Sequence, residues 1–568
     1  MNHLADIGVK NIDWVMHTHH HRDQCQGTHT LAADGVPIAV PMNETAMFEF
    51  AESFWKHRRV LANYDVRSDF STLIKSVPVK RRLHDFERFR WHDIELTVLP
   101  TPGHTMGSVS FMANIDNLKV IFSGDIINGH GTVHRIHDMQ WDYYSETEAL
   151  NATISSVKLL KDNTANLILP SHGDPIDKSD SALSALIRNL SRLFQSVSYT
   201  SPAVESPKLS IHQSVTQISR HLWMNSNSYS NFYAVVSDEG QALLMDYGYP
   251  SANHSGQLSR FAEHSIKELI EVAGVSTIDV VIPSHYHSDH VAGIPYLQER
   301  FGTEVWAHSS FSDILEHPRR YNLPVLNRHP INVDKVLQDR EEVQWNNLSI
   351  TMQHSPGHTN HAAQLFTRID GLKIAHTGDN IRQSLSGPRL GGPIYRNGYY
   401  LGAFTKTLSA LLAFEPQMVL TGHSGAISAD RAMLENLLKQ STEIDSALSE
   451  LVLDSESIPA ALDTKMLSIY PYWAAVKPGQ SVHLSVILHN HEDTQCDFHI
   501  EPQLPSGWRC EPTSLHGQVQ ATNSIELYLR LIIPSSQPEG RKIPYCLNLI
   551  LGRQVLGQKA EGLVNIEQ

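Results

Sequence analysis

The stretch Ser284-His285-Tyr286-His287-Ser288-Asp289-His290 follows an apolar run, Ile278–Pro283, that reads as a buried strand. Two histidines at i and i+2 leaving a strand end can chelate one ion. The Asp-His pair after them can turn toward a second ion about 3.5–4 Å away, the spacing of two-metal hydrolases. Downstream come Pro356-Gly357-His358-Thr359, Thr377-Gly378-Asp379-Asn380 and Thr421-Gly422-His423-Ser424, each setting one His or Asp beside glycine after a β-type run. A lone histidine beside glycine is ordinarily a surface or capping residue. Three such elements in order behind His-x-His-x-Asp-His read instead as the ligand set of two divalent cations. Imidazole plus carboxylate suits zinc first, with iron or manganese also matching.

The same pattern occurs earlier in the chain. IDWVMHTHHHRDQCQG from Ile12 lies over IDVVIPSHYHSDHVAG from Ile278, at an offset of 266. WHDIELTVLPTPGHTMGSVSFMANIDNLKVIFSGDII from Trp91 lies over the stretch from Trp345 without a gap, at 254. LILPSHGDPI from Leu167 lies over MVLTGHSGAI from Met418, at 251. Three blocks in one order are a tandem duplication. Strands and helical stretches such as Thr407–Phe414 alternate in each copy, so the fold class is α/β. The first copy carries His19, His21, Asp23, His104, Asp125 and His172, but Gln24 where the second has His290. An amide oxygen is a weak neutral zinc ligand, so the first copy is expected to hold zero or one metal ion, and the second copy two. The register that would use His17 with His19 fails, because it puts His21 where Asp belongs. Cys25 stands against Val291 and reads as buried and inert, not as a thiolate ligand.

The copies differ in length. A hairpin (Tyr233–Val236 and Ala242–Met245 around Ser237–Gly240) and the turn Asp246-Tyr247-Gly248 precede His285 and have no counterpart before His19. Met1 therefore falls inside the first domain, and N-terminal truncation is the expectation, with completion by a neighbouring domain as the alternative. Residues 1–195 form the first copy, 196–210 a Ser- and Pro-rich linker, and 211–462 the complete second copy. From 463 to 568 the texture changes to period-2 alternation, as at Val482, Leu484, Val486 and Leu488, or Tyr545, Leu547, Leu549 and Leu551. That is an antiparallel β-sandwich. One disulfide among Cys496, Cys510 and Cys546 is conceivable from sequence.

With these residues in place, the chain resembles the metallo-β-lactamase superfamily over nearly all of 211–440. The resemblance implies an αββα sandwich in both copies, with a binuclear site at the edge of two facing sheets. It assigns His285, His287 and His358 to one metal, Asp289, His290 and His423 to the other, with Asp379 bridging and Asp246 as a structural acid. Glyoxalase II-like thioesterases and lactonases share that arrangement. The function implied is a metal-dependent hydrolase using a bridging hydroxide on an ester, thioester, lactone or amide, with Asp289 both a ligand and the residue orienting the nucleophile. Tyr286 and His361 lie beside ligands and are candidates to touch substrate, with packing the plainer reading. A phosphodiesterase of the same superfamily is the runner-up, and a scaffold with decayed hydrolase copies is the reading from another class. The C-terminal sandwich resembles the immunoglobulin-like accessory domains of bacterial extracellular enzymes.

The partner expected of such a hydrolase is a small-molecule substrate. The net charge is −15, which disfavours a nucleic-acid partner working through a basic face. No apolar run is long enough to span a membrane. The chain opens without the charged-then-apolar pattern of a signal peptide. No phosphate-loop glycine motif and no G-x-S-x-G elbow are present.

Overall fold

A computed structural model describes all residues except 1–3, 5, 64–70, 142–146, 199–214, 226–227, 249–257, 455–457 and 568. Most of the expected linker, from 199 on, and the expected start of the second copy at 211 lie outside the described residues. The chain divides into two compact units, one of Met1–Arg58, Asp65–Gln195 and Ala447–Gln568, the other of Arg59–Tyr64 and Ser196–Ser446.

In the second unit two sheets face each other. One has seven strands in the spatial order Lys335–Leu337, Glu304–His308, Thr277–Ile282, Gln241–Met245, Phe232–Val236, Leu222–Asn225 and Val215–Gln217. The first four pair in parallel and the rest are antiparallel. The other has six strands, Glu342–Trp345, Leu348–His354, Ala363–Ile369, Leu372–Gly378, Met418–Thr421 and Gly425–Ser428. One core joins both: Leu243, Val281 and Val305 from the first sheet meet Ile350, Leu365, Ile374 and Leu420 from the second. Strand alternation sets the layers. Leu365 points into that core, while Phe366 turns outward onto Phe414 of the helix Ala403–Phe414, ring centroids 4.5 Å apart. The result is the αββα sandwich that the resemblance implied.

The first copy repeats this with a smaller first sheet. Val15–Met16, Ile38–Pro41 and Arg81–Leu83 pair in parallel. They face five strands, Arg88–Trp91, Ile94–Pro100, Val109–Ile115, Leu118–Gly124 and Leu167–Pro170. Ala39 and Leu83 share a core with Phe89, Val98, Val109 and Phe111. The four strands that extend the second copy's first sheet, Val215–Gln217 through Gln241–Met245, have no counterpart among the described residues of the first.

The C-terminal region is all β, with sheets of four and five strands closing on a core that includes Leu484, Val486, Ile500, Leu531, Leu547 and Val564. It is not wholly antiparallel: Trp473–Val476 pairs in parallel with Gln554–Ile566. Cys496, Cys510 and Cys546 are free thiols, so no disulfide forms among them. The sandwich packs onto the first copy. Strand Gln554–Ile566 lies against the helix Arg22–Cys25, where Arg22 Nε donates to Gln558 O (2.9 Å) and the guanidinium pairs with Glu561. Arg58 lies 3.7 Å from the same carboxylate and bonds the Tyr472 hydroxyl. In the second copy the corresponding helix, Ser288–Val291, is covered instead by Asp246-Tyr247-Gly248, with Tyr247 N donating to His290 O (2.7 Å).

Candidate metal centre

In the second copy the strand Thr277–Ile282 ends at the sheet edge, and the chain then crosses His285 and His287 before starting the short helix Ser288–Val291. That turn keeps both imidazoles on one side and carries Asp289 and His290 to the other. His358 follows the strand Leu348–His354, Asp379 follows Leu372–Gly378, and His423 follows Met418–Thr421. The seven residues singled out in the sequence converge in two groups. His285, His287 and His358 form one; Asp289, His290, Asp379 and His423 form the other, with the donor atoms of each within 4.8 Å of one another. His285 Nε2 is 2.7 Å from His287 Nδ1, and His358 Nε2 is 3.5 Å from Asp379 Oδ2. His290 Nε2 is 3.3 Å from Asp379 Oδ1, and His423 Nε2 is 3.0 Å from Asp379 Oδ2.

In the three-histidine group the protonation state suits a cation, whereas in the other group the carboxylates favour positive charge on His290 and His423, the place a bound cation would take. Burial, helped by neighbouring imidazoles, lowers His285 and His358 to about 3 and His287 well below the ordinary value, so all three present lone pairs at neutral pH. Burial would also depress His423, but Asp379 and Asp289 outweigh it and push it up to about 9. Asp289 is fully buried, and neither carboxylate oxygen has a hydrogen-bond partner; the nearest nitrogens are His423 Nε2 at 3.4 Å and His290 Nε2 at 3.6 Å. A desolvated carboxylate in that state is costly unless a cation shares it. The donor set therefore fits divalent metal ions.

A surrounding layer fixes the donors. Asp246, at φ +59°, accepts from Ser284 N (2.7 Å) and Ser284 Oγ (3.0 Å), and its Oδ2 lies 2.8 Å from His290 Nδ1 and 3.3 Å from His376 Nε2. The Asn397 amide lies 3.0 Å from His287 Nε2, turning Nδ1 inward. Tyr286 is buried, its hydroxyl 2.7 Å from Asn397 and 3.0 Å from Pro324 O, so it packs and orients. His361 Nδ1 lies 3.2 Å from Ser310 O. Arg382, on the hairpin Ile381–Ser384 and Gly387–Leu390, brings its guanidinium 3.7 Å from Asp379. Two glycines are forced. A Cβ at Gly248 would stand 1.4 Å from Asp289 O, and one at Gly422 2.1 Å from Asp379 Oδ1. Sequence reading missed Asn397, His376 and Arg382, none of which stands beside a ligand histidine in the chain; for Gly248 and Gly422 the signal was their place next to Asp246 and His423.

In the first copy His19, His21 and His104 form a group like that of His285, His287 and His358. Their rings lie 4.6–4.9 Å apart, and His104 Nε2 is 3.4 Å from Asp125 Oδ2. Burial lowers His19 to about 4. Asp23, Asp125 and His172 do not assemble as a second group among the described residues. Asp23 pairs with Arg135 (3.1 Å), and Gln24 Nε2 lies 3.3 Å from His172 Nε2. His17 stays outside, 2.9 Å from Thr28 Oγ1. Cys25 is fully buried and its thiol pKa is raised by that burial, which makes it inert.

The chain belongs to the metallo-beta-lactamase superfamily, whose family model matches residues 2–172 and 227–423. It is 24% identical over 207 residues to the hydroxyacylglutathione hydrolase GloC of Haemophilus influenzae, covering 34% of this chain and 85% of that protein. It is 26% identical over 166 residues to the endoribonuclease YSH1 of Yarrowia lipolytica, covering 26% of this chain but only 19% of that protein. Among solved structures it is similar to a metallo-beta-lactamase of Cronobacter sakazakii, with 19% identity, 40% of this chain and 91% of that one covered, and a TM-score of 0.32. BJP-1 of Bradyrhizobium japonicum matches at 16% identity, 44% and 96% coverage, and a TM-score of 0.32. Among the described residues no helix is long and apolar enough to cross a membrane.

Proposed function

We propose that the chain is a metal-dependent hydrolase whose second copy does the chemistry, on an ester, thioester, lactone or amide of a small molecule. The observation that carries this reading is Asp289, a buried carboxylate with no hydrogen bond to either oxygen, set among His290, Asp379 and His423. His285, His287 and His358 would hold one divalent ion, and Asp289, His290 and His423 another, with Asp379 between them; zinc is the first candidate, and iron or manganese match the donors as well. When bound, two such ions supply Lewis acidity and lower the pKa of water to near neutral.

The protein's own residues do the rest. The Asp289 carboxylate, set among His290, Asp379 and His423, would orient the attacking water and take its proton. Asp246 holds His290, and Asn397 holds His287, so donor atoms stay put during the reaction. Arg382 is placed to attract the negative charge that develops on the substrate's oxygen or on its carboxylate. Similarity to the GloC hydrolase supports the thioester member of the substrate class. The match to the YSH1 endoribonuclease favours a second reading, a phosphodiesterase, against which the −15 net charge weighs for nucleic acid.

The test is metal content together with a panel of esters, thioesters, lactones, amides, a bis-aryl phosphodiester and RNA. His285→Ala is expected to lose metal and reduce turnover to background, while His19→Ala keeps turnover within about twofold, the scatter expected for a residue outside the reacting site. Unchanged metal and activity in His285→Ala would overturn the assignment to the second copy. Cleavage confined to the phosphodiester or RNA would favour the second reading.

A further inference from the structure

The half of the first copy's site that lacks a histidine is not an open hole. The guanidinium of Arg135, only 11% exposed, lies 3.1 Å from Asp23 Oδ2, and the partner Asp23 is 13% exposed. Asp23 is the counterpart of Asp289. Where Asp289 has neither oxygen hydrogen-bonded, Asp23 is neutralised by a cation that cannot give up its charge. The His172 ring is also turned, although its Nε2 still lies 3.9 Å from Asp23 Oδ2. His172 presents Nδ1 to Asp125 Oδ1 at 2.8 Å, whereas its counterpart His423 presents Nε2 to Asp379 and gives Nδ1 to Tyr229 O. The His172 ring is then stacked on His134, centroids 3.8 Å apart and planes 8° from parallel, and its Nε2 faces Gln24.

A reason for the turned ring is visible in the chain. Ser171 stands where the second copy has Gly422, the position whose Cβ would collide with Asp379 Oδ1 and His290 Cε1. A side chain there is compatible with the first copy only if its histidine takes another orientation. By contrast the His19, His21 and His104 half keeps its counterpart's arrangement, with Thr18 Oγ1 3.0 Å from His19 Nδ1 as Ser284 Oγ is 2.9 Å from His285 Nδ1. Asp138 Oδ2 lies 3.6 Å from His104 Nδ1.

We infer that the first copy is a one-ion site: His19, His21 and His104 bind a single divalent cation, and the Arg135 guanidinium occupies the place of the second. A dication at Asp23 would meet a fixed positive charge at contact distance in a poorly solvated pocket, where like-charge repulsion is several-fold stronger than in water.

The test counts zinc on the intact chain, by native mass and elemental analysis after gel filtration, and reads each variant as a difference from wild type. The result is thereby independent of how many ions the second copy holds. His21→Ala is expected to lose one ion. Gln24→His with Ser171→Gly restores the histidine and the glycine but keeps Arg135, and is expected to gain none. Adding Arg135→Ala to that pair is expected to gain one. A His21→Ala protein with an unchanged count, an ion gained while Arg135 is present, or a folded triple variant that gains none would each overturn the inference. If the triple variant does not fold, the Gln24→His/Ser171→Gly pair decides alone, since an ion gained there removes Arg135 as the excluding charge.

Discussion

Asp289 and Asp23 occupy the same position in two copies of one fold, and their surroundings are opposite. Asp289 is buried with no hydrogen bond to either oxygen, while Asp23 is held by Arg135 at 3.1 Å. The three-histidine halves next to them are nearly alike. Duplication thus left one half of the site in both copies and changed the electrostatics of the other half. Buried charge makes the difference: a desolvated carboxylate without a hydrogen bond is costly unless a cation shares it, and one already paired with a guanidinium is not.

The same substitution in both copies should have opposite consequences. Asp289→Asn is expected to cut turnover about a thousandfold or more, with loss of metal from the chain. Asp23→Asn is expected to leave turnover intact and instead destabilise its own unit by about 3–5 kcal/mol, because Arg135 is left buried without its partner. Chemical denaturation followed beside steady-state kinetics reads both. Equal loss of activity in the two variants would show that the copies are catalytically equivalent.

The joint between the first copy and the sandwich sets the next effect. Burial alone would raise Glu561, but Arg22 and Arg58 outweigh it and lower it to about 2, against an ordinary 4.5. A carboxyl depressed in the folded state stabilises fully above its unfolded pKa and loses that contribution as pH falls through the folded one. The window is therefore pH 4.5 down to 2, and the contribution is on the order of 3 kcal/mol. Wild type should lose this stability across the window, and Glu561→Gln should be less stable at pH 7 with a flatter acid limb. A parallel acid limb in the variant would remove Glu561 as the cause.

Smaller effects sharpen the contrast. Gly422→Ala places a Cβ 2.1 Å from Asp379 Oδ1 and should reduce turnover about 100-fold through ligand displacement, whereas Ser171→Gly in the first copy should leave turnover unchanged. Asn397→Ala frees the His287 ring and should weaken binding of one ion about 10–100-fold, measured by competition with a chromogenic chelator. A full-strength ion in Asn397→Ala would show that packing alone orients His287.

Much of the site was legible because its donors sit at fixed spacing beside glycines at strand ends. His285, His287, Asp289, His290, His358, Asp379 and His423 were all named from the chain, and the structure brings them within reach of one another. The repeat offsets likewise exposed the missing hairpin, and the first sheet is correspondingly three strands, not seven. Alternation at Val482–Leu488 and Tyr545–Leu551 was enough to place the sandwich core. The parallel pairing of Trp473–Val476 with Gln554–Ile566 was not, since alternation is the same in either direction.

The family, the duplication and the identities of the candidate ligands follow from residue type and local spacing, and were therefore readable in the chain. Tertiary structure alone decided that Arg135 neutralises Asp23, that Asn397 holds His287, and that Glu561 of the sandwich closes on Arg22 and Arg58. Each of those pairs joins residues far apart in the chain. Their energy comes from shared burial, which no local pattern encodes.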